Sequence, residues 1–242
     1  MLAKSQVKYI QSLGQKKFRD QEGAFVVEGP KMVRELLAAP NLELIHLIGD
    51  ASFRQTGIPF TEVKDGELER ISSLSTPNQV LAVFKKPVFA EPRFDDGISL
   101  VLDGIQDPGN LGTIVRIADW FGVSRVICTP DSADIFNPKA TQSTMGSITR
   151  VQVLYKDPMA LMARHPDLPV YTAVLEGKSI YEQPAVRKGW IVIGNESKGI
   201  RDELLQRATH PITIPRIGRA ESLNAAVATG IILSHLVGQD VT

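Results

Sequence analysis

Three short stretches of the sequence carry side chains that can bind and orient a polar substrate. The first contains Asn110 and Arg116, the second contains Glu196, and the third contains Ser222 and Asn224. Amides and hydroxyls both donate and accept hydrogen bonds, a carboxylate accepts them, and a guanidinium binds oxyanions. Together these residue types could form the polar part of a ligand-binding site.

The first stretch reads LDGIQDPGNLGTIVRIADW. Pro108-Gly109-Asn110 turns the chain into a predicted helix, with Asn110 as a plausible N-cap. Arg116 would lie about 9 Å along that helix, at 1.5 Å per residue. Because helical side chains lean towards the N-terminus, its guanidinium could approach the helix entrance, where anions are favoured. The alternative is an i,i+3 pair with Asp119.

The second stretch, IGNESKGI, has glycines at 194 and 199 that allow a ligand to approach the backbone closely. No Gly-Lys-Ser/Thr follows it, and the chain contains no GxGxxG. A nucleotide phosphate loop and a typical dinucleotide site are therefore disfavoured. Glu196 is either a polar residue of the site or a cap for a helix predicted to begin near Ile200.

The third stretch, ITIPRIGRAESLNAAVATGIIL, ends an apolar run at Pro215 and predicts a long helix from Glu221 or Ser222. Its apolar residues are spread almost all round the helix, so we expect it to be buried; they include Leu223, Ala226, Val227, Ile231 and Ile232. Ser222 and Asn224 in its first turn indicate either ordinary capping or a ligand-binding edge.

A regular alternation of strands and helices from Ile98 onwards predicts the elements that hold these stretches. The expected strands are short and apolar without alternation, as in a parallel sheet covered on both faces; they are Ser99–Leu102, Val123–Cys128, Val151–Leu154, Val170–Val174, Trp190–Ile193 and Pro211–Ile214. Each polar stretch follows one of them. Ligands of such sheets bind at the carboxyl ends of the strands, so we expect the three stretches to converge there.

The part of the chain before this alternation predicts a smaller α/β unit. A basic helix at 4–13, a helix from Gly29-Pro30 and a short helix at Asp65–Leu74 are expected among its strands. The strands are expected at Phe25–Glu28, Leu44–Gly49, Pro59–Val63 and Gln79–Phe84. Residues 87–97, with two prolines and an acidic end before Gly97, read as the linker. The expected domains are therefore 1–94 and 95–242.

The distribution of charge is more informative than its total, since 27 basic residues balance 27 acidic ones. The first nineteen residues contain no acidic side chain and five basic ones, Lys4, Lys8, Lys16, Lys17 and Arg19. Five phosphate contacts would give strongly salt-dependent binding of nucleic acid. A solvated basic helix face explains the charge equally well.

Several classes of site are disfavoured by composition. Cys128 is the only cysteine, so neither a disulfide framework nor a cysteine-based zinc site is expected. The four histidines show no metal-ligand spacing, and we expect no metal. The N-terminus lacks an apolar signal core, and the longest apolar run, 225–233, is too short to span a bilayer. The sequence thus reads as cytoplasmic, with no membrane partner.

The three stretches resemble the ordered motifs of a known family. NLGTIVR (110–116), GNESKG (194–199) and IPRIGRAESLN (214–224) are similar to those of the SpoU/TrmH family, in the same order and spacing. Its members are S-adenosylmethionine-dependent RNA ribose 2′-O-methyltransferases within the SPOUT superfamily. The resemblance covers about residues 98–240, and residues 1–86 look like the small substrate-binding domain that many members carry.

The resemblance implies an α/β fold with a C-terminal trefoil knot that holds the methyl donor, and a homodimer. It places S-adenosylmethionine contacts at Thr172, Ala173, Val174, Gly194, Ile214 and Leu223. It places the active-site polar set at Asn110, Arg116, Glu196, Ser222 and Asn224. One departure is Arg216, which stands where the family usually has an apolar residue.

The function that follows is methyl transfer to a ribose 2′-hydroxyl in structured RNA, with the basic first helix gripping the RNA. A front domain of this kind favours ribosomal over transfer RNA by analogy. Two alternatives remain. One is a non-catalytic RNA-binding or ribosome assembly factor on the same fold, which the intact polar set disfavours. The other is a small-molecule nucleotide enzyme, which the missing phosphate-loop signatures disfavour.

Overall fold

A computed structural model describes residues 2–64 and 66–237 of the chain. The chain divides into two compact units. The first comprises Met1–Ala90 and Asp134–Thr149, and the second comprises Glu91–Ala133 and Arg150–Thr242. Residues 134–149, expected within the second domain, therefore belong to the first unit.

The first unit is built on a four-stranded sheet with the order β1-β4-β2-β3. Strand β4 runs antiparallel to both β1 and β2, whereas β3 is parallel to β2. The strands are β1 (Ala24–Glu28), β2 (Leu44–Gly49), β3 (Phe60–Glu62) and β4 (Val80–Lys85), and the helices are α1 (Lys4–Ser12), α2 (Lys16–Glu22) and α3 (Pro30–Leu37). Every residue of β1 is buried, which explains its unbroken apolar run.

Residues 134–149 pack against β1 in this first unit. Phe136 contacts Phe25 with 5.0 Å between ring centroids, and Asn41 Nδ2 donates to the Thr149 carbonyl at 2.9 Å. The segment contains the helix that we number α5 (Pro138–Thr144), since α4 precedes it in the chain. Contacts between residues so distant in sequence leave no local pattern, so sequence reasoning did not find them.

The prediction of a helix over Asp65–Leu74 is wrong for residues 66–74. Asp65 lies outside the described residues. Only a 3₁₀ turn forms there, at Leu68–Arg70. Glu67 accepts a hydrogen bond from the Lys64 backbone N–H at 3.1 Å, and Glu28 binds the side chains of Ser72 and Ser73. These side-chain bonds hold the segment in a non-helical path.

The second unit is a six-stranded sheet with the order β10-β8-β9-β5-β6-β7, in which every neighbouring pair is parallel. Its strands are β5 (Ile98–Leu102), β6 (Arg125–Cys128), β7 (Gln152–Tyr155), β8 (Val170–Ser179), β9 (Gly189–Ile193) and β10 (His210–Thr213). Its helices are α4 (Pro108–Trp120), α6 (Pro158–Ala163), α7 (Asp202–Leu205) and α8 (Ala225–Leu236). The predicted mostly parallel α/β fold is confirmed.

Two predictions about this unit need correction. Strand β8 does not end at Val174 but continues to Ser179, because its second half pairs with β10 after a register shift. Helix α8 begins at Ala225 rather than near Glu221, and it is not buried all round. Val227 in this helix is 53% exposed, whereas Ala226 and Ile232 are buried; Leu223, expected in the helix, precedes it and is 45% exposed. No helix among residues 2–64 and 66–237 is long and apolar enough to cross a membrane.

Candidate active site

The site is built by three loops that follow β5, β9 and β10. Because β5 and β9 are neighbours in the parallel sheet, their following loops start at the same edge. Strand β10 is separated from β9 only by β8. The sheet order therefore places all three motifs at the carboxyl ends of nearby strands.

The first loop turns into α4 through Asp107, not through Asn110 as the sequence suggested. The Asp107 carboxylate accepts a hydrogen bond from the Asn110 backbone N–H at 2.8 Å, and Pro108 occupies the first helical turn. Asn110 is therefore inside the first turn, and its side chain is free of capping. The Asp107-Pro108 pair is itself a helix-start signal that sequence reasoning overlooked.

The second loop is closed on itself. Asn195 and Gly199 exchange two backbone hydrogen bonds of 3.0 and 2.9 Å, and Asn195 Oδ1 accepts from the N–H groups of Ser197 and Lys198. Gly194 is required here, because a Cβ would lie 2.4 Å from the Gly199 carbonyl carbon. Glu196 does not cap a helix, since α7 begins only at Asp202. The loop presents Glu196 instead.

The third loop ends at Asn224, which caps α8 in place of the predicted Ser222. Asn224 Oδ1 accepts hydrogen bonds from the N–H groups of Ala226 at 2.9 Å and Val227 at 3.3 Å. Two polar residues compete for this role in the sequence, and asparagine and serine are similarly good caps. A tertiary contact of Asn224, described next, favours the later start.

Hydrogen bonds join one residue from each loop. Asn224 Nδ2 donates to Asn110 Oδ1 at 3.0 Å, and Asn110 Nδ2 donates to Glu196 Oε1 at 2.6 Å. The donors all point the same way, from the α8 N-terminus through Asn224 and Asn110 to the Glu196 carboxylate. We call these three residues the polar chain. Both amides of the polar chain have a donor side and an acceptor side in use, which fixes their orientation.

Arg116 and Ser222 lie outside the polar chain. Both are exposed, and neither has a hydrogen bond or ion pair to any of the described residues. The i,i+3 pair between Arg116 and Asp119 does not form, because Asp119 binds Arg150 at 2.9 Å. The charged guanidinium of Arg116 is thus exposed to solvent.

The residues expected around the methyl donor lie on β8 and after β9 and β10. Thr172 is fully buried in β8, and its hydroxyl has no hydrogen-bond partner among the described residues. Ala173, Val174 and Ile214 are partly buried. Leu223 stands in the exposed loop before α8. Such an unsatisfied buried hydroxyl suits a site that gains a polar ligand.

Five basic residues were predicted to bind RNA, and the prediction for Arg19 is wrong. It is 2% exposed, its Nη2 lies 2.6 Å from Asp134 Oδ2, and its Nη1 donates to the carbonyls of Leu13 and Gly14. Arg19 therefore stabilises the first unit instead of facing a phosphate. The remaining four, Lys4, Lys8, Lys16 and Lys17, are exposed.

Metal-ligating side chains and the cysteine thiol are the remaining reactive groups in the part of the chain that the structure describes. No group of three or more histidine, cysteine, aspartate or glutamate side chains there could hold a metal ion. Cys128 is fully buried, and burial raises the pKa of its thiol. A thiol held neutral in this way is a poor nucleophile.

Comparisons with known proteins agree with these motifs. Residues 97–234 match the model of the SpoU rRNA Methylase family, and residues 4–82 match the MRM3-like substrate binding domain. The 23S rRNA (guanosine(2553)-2′-O)-methyltransferase RlmP of Bacillus subtilis (strain 168) is 33% identical over 244 residues, which cover 98% of each chain.

Two solved structures extend the likeness to the fold. A putative RNA methyltransferase of the TrmH family from Porphyromonas gingivalis superimposes with a TM-score of 0.89 at 39% identity, covering 99% of this chain and 100% of the other. An AdoMet-bound rRNA methyltransferase from Sinorhizobium meliloti gives 0.86 at 27% identity, covering 100% and 97%. The chain therefore belongs to the SpoU rRNA Methylase family, and it is an S-adenosylmethionine-dependent RNA ribose 2′-O-methyltransferase.

Proposed function

We propose that the chain methylates the 2′-hydroxyl of a ribose in ribosomal RNA, with the polar chain and Arg116 as its active site. The observation that carries this proposal is the pair of hydrogen bonds that joins Asn110 to Glu196 and to Asn224. These bonds connect residues from all three family motifs.

The methyl donor fits the residues present. The buried Thr172 hydroxyl has no hydrogen-bond partner among the described residues, and Gly194 has no side chain to cover its backbone. They offer a polar group and accessible backbone where S-adenosylmethionine contacts are expected. Backbone contacts at Ile214 and Leu223, with Ala173 and Val174, would complete that pocket. When bound, the donor supplies a sulfonium methyl: the ribose oxygen forms a bond to this carbon, the carbon–sulfur bond breaks, and its electrons stay on sulfur.

Arg116 stabilises charge rather than accepting the proton. An arginine guanidinium stays positively charged in proteins at neutral pH and is therefore a poor general base. We assign to Arg116 the phosphate next to the target ribose and the alkoxide that develops on its 2′-oxygen, and the hydroxyl proton leaves to phosphate or water. Its exposure and its lack of an ion pair within the described residues leave it available for this role.

The polar chain orients the groups around the ribose. Asn110 holds the ribose or the Arg116 guanidinium, and its own direction is set by Glu196 and Asn224. Glu196, which the loop after β9 presents, accepts the Asn110 side-chain N–H. Asn224 ties the motif-three loop to the site, and Ser222 lines that loop.

Ribosomal RNA is the substrate class that the relatives favour. The similar protein from Bacillus subtilis is named as a 23S rRNA methyltransferase, and the front of this chain matches a substrate binding domain. We assign RNA binding to domain 1–94, with Lys4, Lys8, Lys16 and Lys17 as phosphate contacts. Because looped RNA exposes 2′-hydroxyls and splayed bases, the target nucleotide lies in a loop. A ribosomal substrate agrees with a cytoplasmic location.

A homodimer and a trefoil knot complete the proposal. Exposed apolar side chains around α8 support self-association, among them Leu223 and Val227 and the fully exposed Ile217. The knot is what the resemblance of the three motifs to the SpoU/TrmH family implies, and the chain's match to the SpoU rRNA Methylase family model supports it. Sedimentation of the purified chain tests the dimer.

The direct test of this assignment is Arg116→Ala, with methyl transfer and donor binding measured separately. Losing one donor to a developing oxyanion costs about 2.7–4 kcal/mol, or 10² to 10³ in rate. We expect the rate of methyl transfer to rRNA to fall by this factor, while the affinity for S-adenosylmethionine is retained. Retained activity would remove Arg116 from the chemistry, and loss of donor binding would make its role structural.

A further inference from the structure

The loop that presents Glu196 is rigid within itself but depends on other residues for its position. The two backbone bonds between Asn195 and Gly199, and the bonds from Ser197 and Lys198 to the Asn195 side chain, all lie inside the loop. They fix its shape and leave its orientation undetermined. What orients Glu196 must therefore be sought where the loop meets the sheet.

Both ends of the loop are attached to two consecutive residues, Asp103 and Gly104. At the entry, Asn195 Nδ2 donates to the Gly104 carbonyl at 2.7 Å. At the exit, the Arg201 backbone N–H donates to Asp103 Oδ2 at 2.7 Å. Asp103 and Gly104 directly follow β5, so the loop is pinned to the end of the neighbouring strand.

The same point also starts the first motif loop. Asp107 lies four residues after Asp103 and caps α4, which carries Asn110. Glu196 and Asn110 thus reach each other from two loops that share one attachment.

The Asp103 side chain is suited to hold this point. It is 1% exposed, and its Oδ1 lies 3.0 Å from Arg201 Nε without forming an aligned hydrogen bond. A buried charge is retained only when it is paired, and here the partner is the same residue whose backbone it holds. Arg201 also binds Asp131 at 2.6 Å, but that contact is half exposed and lies outside the loop.

We propose that Asp103 is a positioning residue for methyl transfer: through the Arg201 backbone it sets the orientation of the loop that carries Glu196, and thereby the contact with Asn110. The inference rests on the proposed roles of Glu196 and Asn110. It adds a residue that reaches no substrate and acts only through the second motif.

The first test compares Asp103→Asn with Asp131→Asn, both as full chains with S-adenosylmethionine and unmodified rRNA. Both substitutions remove one negative charge next to Arg201, but only the first replaces the carboxylate that accepts the Arg201 backbone N–H with the weaker, neutral acceptor of an amide. We expect Asp103→Asn to lower kcat about 10- to 100-fold, as small misplacements of catalytic groups do. KM for rRNA should stay within about twofold, and Asp131→Asn should retain wild-type kcat, consistent with the small worth of exposed pairs.

Coupling to Glu196 separates positioning from general support of the fold. If Asp103 acts through Glu196, Asp103→Asn in a Glu196→Ala background costs little further activity, because the positioned group is already gone. The same fold-loss in both backgrounds, or an equal loss for Asp131→Asn, overturns the proposal. Wild-type transfer is measured first, so that an inactive wild type counts against the proposed function and not against Asp103.

A second pair of variants isolates the hydrogen bond if Asp103→Asn does not fold. Arg201 has φ −62°, within the range that proline fixes. Arg201→Ala and Arg201→Pro both lose the side chain, but only the proline loses the N–H that Asp103 accepts. We expect the proline variant to be at least about tenfold slower in kcat than the alanine variant. Equal rates overturn the proposal.

Discussion

At the scale of single residues, the site depends on amides whose direction is settled by their neighbours. Asn224 uses its oxygen to cap α8 and its nitrogen to bind Asn110, and Asn110 passes its own N–H to Glu196. An amide has one donor side and one acceptor side, so reversing Asn110 breaks two hydrogen bonds and reversing Asn224 breaks three. The types of these residues were readable from the sequence, but their hydrogen-bond partners were not.

Asn224→Asp separates capping from orientation. Aspartate caps helices as well as asparagine, so we expect the free energy of unfolding to stay within about 0.5 kcal/mol of wild type. It cannot donate to Asn110, so methyl transfer should fall at least about tenfold. Asn224→Ala serves as control, since it loses the cap as well and should cost about 1 kcal/mol of stability. Full activity of the aspartate variant would contradict the polar chain.

At the scale of elements, the strands and most helices could be predicted, whereas the ends set by tertiary contacts could not. Strand β2 is found at the predicted Leu44–Gly49, because its apolar run is bounded by polar residues. The start of α8 was missed by a few residues because two caps compete and Asn110 decides between them. The second half of β8 was missed because its polar residues do not mark a strand; pairing with β10 extends it.

Burial inside an element also escaped prediction. Arg19 belongs to a basic run that looks uniformly solvated, yet α2 turns it inwards to Asp134, which is far away in the sequence. The carboxylate that makes this burial favourable cannot be identified from local pattern. The lysines of the same run, by contrast, are exposed as a basic surface requires.

Arg19→Ala is therefore expected to lower stability, whereas Lys17→Ala is expected to weaken RNA binding. Removing Arg19 leaves Asp134 buried without its partner, which typically costs about 3–5 kcal/mol. Lys17→Ala should change stability by less than about 0.5 kcal/mol but weaken RNA binding and reduce its salt dependence. Urea unfolding and RNA titration at two salt concentrations measure both. A stable Arg19→Ala variant with weakened RNA binding would reverse our assignment.

The close approach at Gly194 gives a second prediction for the loop after β9. A Cβ at Gly194 would lie 2.4 Å from backbone carbon, and backbone cannot move aside cheaply. We expect Gly194→Ala to cost about 1–3 kcal/mol of stability and to impair donor binding. Gly218→Ala is the matched control, because a Cβ there meets nothing within 4 Å. Similar melting temperatures for the two variants would contradict this view of the loop.

At the scale of the whole molecule, the chain combines a small mixed sheet with a parallel sheet that carries all three motifs. The first unit also includes residues 134–149, which the chain supplies between β6 and β7. Hydrophobic pattern alone placed the change from one architecture to the other near residue 98, close to the start of β5. The return of a later segment to the first unit depends on packing and was not foreseeable.

Asp20 should contribute to the loss of folding stability of the first unit at acid pH. Hydrogen bonds from Lys16 and Lys86 lower the pKa of Asp20 from 3.8 to about 2. A carboxyl whose folded pKa is depressed contributes stability above its unfolded pKa and loses it as the pH falls through the folded value. We therefore expect the urea midpoint of Asp20→Asn to fall less than that of wild type between pH 4 and about 2. Parallel curves for the two proteins would contradict the shift.

The central claim is that three loops of one sheet edge place a ribose hydroxyl against the methyl donor. The most direct test incubates the purified chain with methyl-labelled S-adenosylmethionine and unmodified ribosomal RNA, with transfer RNA in parallel, and then hydrolyses the RNA in alkali. We predict label in a single alkali-resistant dinucleotide of the ribosomal RNA, because a 2′-O-methyl group blocks cleavage at its own phosphate. Label that is absent, or that is released entirely as mononucleotides, would contradict the account.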